Sequence, residues 1–447
     1  MNGALLLAGL LFLVAAILRL SGVRGPRLAV ALIMITAPLE VYRTEFGAVG
    51  NVSLFRLAVL FGVLTVLREP RALPAILRSR VVLALLVLPL VMLISTGLFS
   101  DNARLAAAVF GQALVGVLAV VVVLALASKC PPRDPMFFFL VGAGVTIVLA
   151  GAQGIAEGLG QRWRLPLLDQ LPVPPGLEVT RSYGSRMIGT GQLRLRAAFG
   201  DPNHTAAYLV LVLATVSAFL NAKPRLSVER QFAVGAWVLG ILLVLLATLS
   251  RSGWLAAFVG VALLCAAVLR DPTARAWLRA RRRYVAGAVC VLLLALPLAA
   301  GQVLARFDSA PQQNEVSNAE HRETAQVAFD QFRGSPVVGI GLAELGPILL
   351  QGPRTSGAHS SMLTIAAELG AVGLLALALL FGIVLSTLVR WGQRAIEQRW
   401  VAWSLAAGYA GFIVANGFYD LYLDDYHWAF IGMAIAASRQ TWESAAE

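Results

Sequence analysis

The chain has 447 residues, 58% of them hydrophobic and only 13% charged, with a formal net charge of +12. A water-soluble domain of this length carries about a quarter charged residues, and a mean hydropathy of +0.77 excludes that class. The apolar runs are continuous rather than alternating and lie near the roughly 20 residues that cross a bilayer as a helix, so a β-barrel is excluded too.

The expected architecture is all-α: a polytopic transmembrane helical bundle of about 12 or 13 segments, forming a single integral membrane domain over residues 1–447. Residues 4–18 have the length of a signal-peptide core. No basic segment precedes them and no small-x-small cleavage site follows, so they read as a retained first helix. Apolar length places candidate spans at 4–20, 28–41, 52–67, 81–99, 105–128, 136–156, 204–220, 231–249, 252–270, 284–302, 361–389, 400–418 and 425–437.

The basic residues are almost all arginine, and they cluster in alternate connections. Arg68, Arg71, Arg78 and Arg80 share one; Lys129 and Arg133 another; Lys223, Arg225 and Arg230 a third. A dense run from Arg270 to Arg283 follows, then Arg390, Arg394 and Arg399. The positive-inside rule makes this the cytoplasmic face and accounts for the charge without nucleic acid, for which no basic-aromatic platform exists. It gives a cytoplasmic C-terminus, with an outer N-terminus if all the segments span and an inner one if one does not.

The opposite, outer face then carries two long connections, 157–203 and 303–360, and loops of that length are commonly functional. The first is broken by Leu171-Pro-Val-Pro-Pro-Gly176 and by Gly184 to Gly191. The second holds a predicted surface helix. Ser317 and Glu320 fit a capping box at its start, and Ala325, Ala328, Phe329 and Phe332 recur at helical spacing on one face.

Candidate chemistry concentrates in these outer loops. Arg181, Arg186, Arg194 and Arg196 occur with no acid among them, either as solvated charge or as an anion site, since the guanidinium fork grips phosphate at two points. Arg251 sits in the tight turn Leu249-Ser250-Arg251-Ser252-Gly253 between two apolar helices, where it either snorkels or has an anionic partner. Asp201 or Asn203 can cap the helix that follows Pro202, with His204 beside them. His359 stands at the mouth of the next long apolar run; an imidazole there titrates near neutrality and can take a proton from a sugar hydroxyl. His321 is expected to face solvent on the surface helix, and His427 to be interfacial. Asp101, Asp420, Asp424 and Asp425 are the outer acids. Cys130, Cys265 and Cys290 form no CxxC pair, and no His-carboxylate group has metal-ligand spacing, so neither a disulfide framework nor a metal site is implied.

Four segments in order resemble the O-antigen ligase and O-antigen polymerase superfamily of bacterial envelope proteins. They are Arg194-Leu-Arg196-Ala-Ala-Phe-Gly-Asp-Pro-Asn203; Ser250-Arg251; Arg322 followed by Ser335-Pro336-Val-Val-Gly339-Ile-Gly341; and His359 through Glu368-Leu-Gly370-Ala-Val-Gly373. The family pattern has Asn after the histidine where this chain has Ser360. The resemblance implies a GT-C-like glycosyltransferase of the bacterial inner membrane with a periplasmic active site, inverting and without metal or other cofactor. The donor it implies is a glycan on undecaprenyl diphosphate, and the favoured acceptor is the lipid A-core oligosaccharide, as in a ligase of lipopolysaccharide biosynthesis. Arg194, Arg196 and Arg251 would stabilise the diphosphate and His359 would activate the acceptor hydroxyl. Arg181, Arg186, Asn203, Arg322 and Ser360 are further substrate-binding candidates. A polymerase shares every one of these motifs, and a protein O-oligosaccharyltransferase would use the same donor. A polysaccharide transporter would instead show paired charges deep within helices or matched broken helices.

Overall fold

The structure, a computed structural model, describes residues 2–39, 42–45, 51–68, 70–160, 194–199, 201–221, 228–270, 311–350 and 358–440. The expected span 284–302, Arg181 and Arg186 lie outside these residues. The described chain is almost entirely helical. Helices α1 (Asn2–Leu20) and α2 (Pro26–Thr36) lead to a short antiparallel hairpin, β1 (Arg43–Glu45) and β2 (Asn51–Ser53), with Arg43 opposite Ser53. Then come α3 (Leu54–Leu67), α4 (Leu73–Leu77), α5 (Arg80–Leu98), α6 (Ala103–Ala127) and α7 (Asp134–Gly158). After these follow α8 (Pro202–Asn221), α9 (Val228–Ala247), α10 (Arg251–Arg270), α11 (Pro311–Gly334), α12 (Leu345–Leu350), α13 (Ser361–Arg394), α14 (Arg399–Asn416) and α15 (Asp425–Arg439).

Among the described residues, α5, α6, α7, α8, α10 and α13 are long and apolar enough to cross a membrane, and shorter apolar helices lie in α1, α2, α3 and α9. The fold is that of an all-α, multi-pass membrane protein. Local sequence sets where the helices begin: Ser53, Ser79 and Asn102 each accept a backbone N–H three residues on, capping α3, α5 and α6. Outward-facing leucine and phenylalanine, such as Phe12 on α1 and Phe258 on α10, are exposed as a lipid-facing surface requires.

The segment at 425–437 forms α15 (Asp425–Arg439). At about 1.5 Å per residue α15 is shorter than the roughly 30 Å hydrocarbon layer, and Tyr426 through Ala437 are all buried. It is a core helix, seated on α6 by glycine: a Cβ on Gly116 would overlap the Trp428 indole, and one on Gly432 would press on Val123.

The long helix α13 is two helices joined at a break. Gly370 has φ 63° and ψ −158°, outside helical geometry. The backbone groups that the break releases are taken up by the 336–341 loop. Ala367 and Glu368 carbonyls accept from Ile340 and Gly341, while Ala371 and Val372 N–H groups donate to Pro336 and Val337. Both chains need glycine for this approach: a Cβ on Gly339 would collide with the Glu368 carbonyl, and one on Gly370 with the Val337 carbonyl. The Glu368 carboxylate, itself buried, accepts the Leu345 N–H at 3.3 Å, which starts α12. The Gly-x-Gly and Glu-x-Gly segments are thus the two halves of one backbone dock.

Helix α14 packs against α8, α10 and α13. Because successive helices alternate in direction, the starts of α8, α10 and α13 and the end of α14 gather at one end of the bundle. The opposite end collects Arg68, Arg71, Arg80, Lys129, Arg133, Arg270, Arg390, Arg394 and Arg399, all at the termini or connections that point there.

Candidate functional site

At the end where α8, α10 and α13 begin lies a cavity of about 580 Å³. Its polar walls are Arg194, Asn203, Arg251, Ser252, His321, Arg322, His359, Ser360 and Tyr419, drawn from five separate stretches of chain.

Arg194 is held by its own surroundings. Its Nε donates to the Thr248 carbonyl at 2.9 Å and its Nη2 to Asn203 Oδ1 at 3.3 Å. Thr248 follows the C-terminus of α9, where carbonyls point outward and favour a cation. The backbone on either side is fixed by Gln153, a fully buried amide of α7. Its Oε1 accepts the N–H of Arg196 at 2.9 Å and of Ala197 at 3.1 Å, and its Nε2 reaches the Arg194 carbonyl at 3.5 Å. Arg196 is turned elsewhere: it does not line the cavity, and its charge faces Glu157 and Asp201, which oppose the downward push of burial on its pKa.

Pro202 opens α8, the position where a missing N–H costs nothing. Asp201 is the cap, its Oδ1 accepting from both the backbone N and the Nδ2 of Asn203 at 2.6 Å. Asn203 is thereby oriented toward Arg194. His204 sits behind this wall in an ion pair with Asp424, Nδ1 to Oδ2 2.9 Å.

Arg251 is the first residue of α10. Leu249 adopts φ 51°, and Ser250 caps the helix by accepting the Gly253 N–H at 3.1 Å. Ala206 of α8 lies so close that a Cβ on Gly253 would overlap it, so the glycine is what lets the turn pack against the start of α8.

His359 has φ 53° and Ser360 caps α13, its hydroxyl accepting the Leu363 N–H at 3.4 Å. Serine is a preferred residue at this position. Burial pushes the His359 imidazole below its ordinary pKa; the Asp201 carboxylate pulls up and His204 pulls down. Neutral imidazole, the form that accepts a proton, is favoured. Left-handed backbone on residues other than glycine costs on the order of 1–3 kcal/mol each. The four such residues among those described, Ala197, Leu249, Ala343 and His359, all lie at this site or at the dock below it.

Two residues at the site escaped the sequence reading. His321, expected to face solvent, is half-buried, and its ring meets His359 edge to face with centroids 4.5 Å apart. Tyr419 closes the same cluster, 5.8 Å from His359 and 6.3 Å from His321. Its backbone carbonyl accepts from both the N–H and the hydroxyl of Ser361. The supporting helix also differs from expectation. α11 begins at Pro311, so Ser317 and Glu320 lie within it rather than forming its cap. Ala328 is buried, but Phe329 is exposed and carries the Arg333 guanidinium 4.5 Å over its ring. His427, expected to be interfacial, is fully buried and bonded to Tyr409 and the Tyr422 carbonyl.

No curated protein matches the chain in sequence. Residues 234–378 match the family model described as O-Antigen ligase, a stretch that holds Arg251, Arg322, His359 and both halves of the backbone dock. This stretch of a multi-pass membrane protein is similar to the O-antigen ligase family, which supports the O-antigen ligase superfamily and a ligase- or polymerase-type function in general.

Proposed function

We propose that the protein is an O-antigen ligase of the bacterial inner membrane, moving a glycan from undecaprenyl diphosphate to the lipid A-core oligosaccharide on the periplasmic side. The observation that carries this reading is the convergence of Arg194, Arg251, Arg322 and His359 on one cavity, at the end of the bundle away from the arginine-rich connections. By the positive-inside rule that end faces the periplasm.

In the proposed reaction an acceptor hydroxyl oxygen attacks the anomeric carbon from the side opposite the diphosphate. The new C–O bond forms as the bond to the diphosphate oxygen breaks, and inversion follows. The electron pair leaves on the diphosphate, where guanidinium groups meet the developing charge; one preorganised donor is worth on the order of 3–4 kcal/mol. The proton of the hydroxyl passes to the His359 imidazole. Arg194 and Arg251 are the leading phosphate partners, and Arg322, on α11, lines the same cavity. Arg196 serves this reading by fixing the loop through its backbone.

The test is the envelope glycan profile of a deletion strain complemented with the wild type or with His359→Ala. The expected result is lipid A-core without attached glycan while long chains persist on the lipid carrier. Core carrying a single repeat would make the protein a polymerase. An unchanged profile would overturn both and turn attention to a protein acceptor or to transport.

A further inference from the structure

The three helices that frame the cavity at one end, α10, α13 and α14, frame a second cavity at the other. It has a volume of about 630 Å³, within the roughly 300–1,000 Å³ of small-molecule sites. Its walls are built by small residues: Ala266 and Ala267 of α10 face Ala406 and Ala410 of α14. Toward the middle of the bundle the two helices are in tight contact, since a Cβ on Gly260 would press on the Ala407 carbonyl. The groove is therefore closed at its inner end and runs out toward the arginine-rich face.

At that outer end the lining changes. Arg270 ends α10, Arg399 begins α14, and Gln393 of α13 lines the same cavity; among the described residues no Asp or Glu lines it. Trp400 and Trp403 stand beside the arginines, and Trp403 lies against Gly392, whose Cβ would meet its indole. Tryptophan concentrates where a bilayer passes from hydrocarbon to headgroup. An apolar groove with two cations and an indole pair at its mouth matches one ligand chemistry: a phosphate diester on an acyl chain, with no cation of its own.

We propose that this groove is a binding site for an anionic phospholipid of the leaflet at the arginine-rich end. The phosphate is held by Arg270 and Arg399, and an acyl chain lies along the alanine-lined floor. A zwitterionic lipid would bring its ammonium group against two guanidinium groups and is disfavoured. The site is separate from the glycan-transfer cavity by the length of α10, and it stands whether or not the proposed reaction is correct.

The experiment is native mass spectrometry of the full-length protein in detergent, titrated with phosphatidylglycerol or phosphatidylcholine. The wild type is expected to retain phosphatidylglycerol preferentially. Each of Arg270→Gln and Arg399→Gln should weaken that retention about fivefold, from the roughly 1 kcal/mol that one basic residue contributes near anionic lipid. Ala266→Trp, at an exposed position, should block the groove without removing charge. Arg68→Gln and Arg71→Gln, at the same end but outside the groove, should bind as the wild type does. Equal retention of the two lipids would overturn the proposal. So would equal losses in the Arg68 and Arg71 variants, unchanged binding in Ala266→Trp, or displacement of the lipid by soluble glycerol phosphate.

Discussion

His321 of α11 and His359 at the start of α13 stand edge to face with ring centroids 4.5 Å apart, and both line the cavity that holds three arginines. The contact places the proposed base against a second ring instead of open water. His359→Ala is expected to reduce glycan transfer by about 10²–10⁴-fold, the usual contribution of a general base, while membrane insertion is kept. His321→Phe preserves the ring and should keep transfer within a few-fold of wild type; His321→Ala should lose more. Transfer assayed with purified lipid-linked donor checks both, and equal losses in the Phe and Ala variants would show that the imidazole itself is needed.

The pH profile follows from the same burial. Because desolvation disfavours imidazolium, His359 stays neutral below its ordinary pKa of about 6.5, and the acid limb of kcat/KM should fall below that value. Asp201 acts in the opposite direction, so Asp201→Asn should move the limb to still lower pH. A limb that moves upward in this variant would contradict the placement of the two groups.

The arginines can be separated by substitution. Arg251→Ala should lose about 10²–10³-fold in turnover, as removal of one transition-state donor does, and Arg251→Lys should recover part of it. Arg194→Lys should recover little, because an ammonium cannot reproduce the paired bonds to the Thr248 carbonyl and Asn203. Comparable recovery at both positions would remove this distinction.

Gln153 makes a test at a distance from the chemistry. Gln153→Leu keeps the volume but strands the N–H groups of Arg196 and Ala197, at about 1–3 kcal/mol for a buried unpaired group. The expected outcome is a lower melting temperature together with weaker donor binding, read by thermal denaturation and by KM. A variant that melts lower but binds donor normally would confine Gln153 to a structural role.

The dock at the break in α13 predicts a steep cost. Gly370→Ala places a side chain in left-handed geometry, about 1–2 kcal/mol by itself, and drives it into the Val337 carbonyl. Gly97→Ala on α5, with nothing within contact range of an added Cβ, should be tolerated. Melting temperatures of the two variants make the comparison.

The helical membrane fold was legible because bilayer thickness writes itself into run length, and the arginine-rich connections fixed which termini share an end. The cavity was legible in part. Arg194, Arg251 and His359 each break an otherwise apolar or neutral context, and a charge beside a membrane needs a reason; Arg322, between Glu320 and Glu323, is marked by the family resemblance alone. His321 could have been found, since it lies four residues before Ala325 and so on the face of α11 that turns inward. Sequence periodicity marks apolar faces and is silent on polar residues sharing them, so His321 reads from sequence as a solvent residue. Arg196 carries the same signal as Arg194, and only the folded surroundings, Glu157 and Asp201 for Arg196 and the cavity for Arg194, separate them. The break at Gly370 was illegible for a different reason: its backbone groups are satisfied by a loop some thirty residues earlier in the chain, and no local pattern encodes that partner.

That break has a mechanical consequence. The 336–341 loop bonds residues on both sides of Gly370, Ala367 and Glu368 before it and Ala371 and Val372 after it. The break is therefore splinted. Ser361, bonded to the Tyr419 carbonyl, ties the segment behind His359 to the end of α14 as well. A tilt of α13 would carry the loop and the imidazole with it.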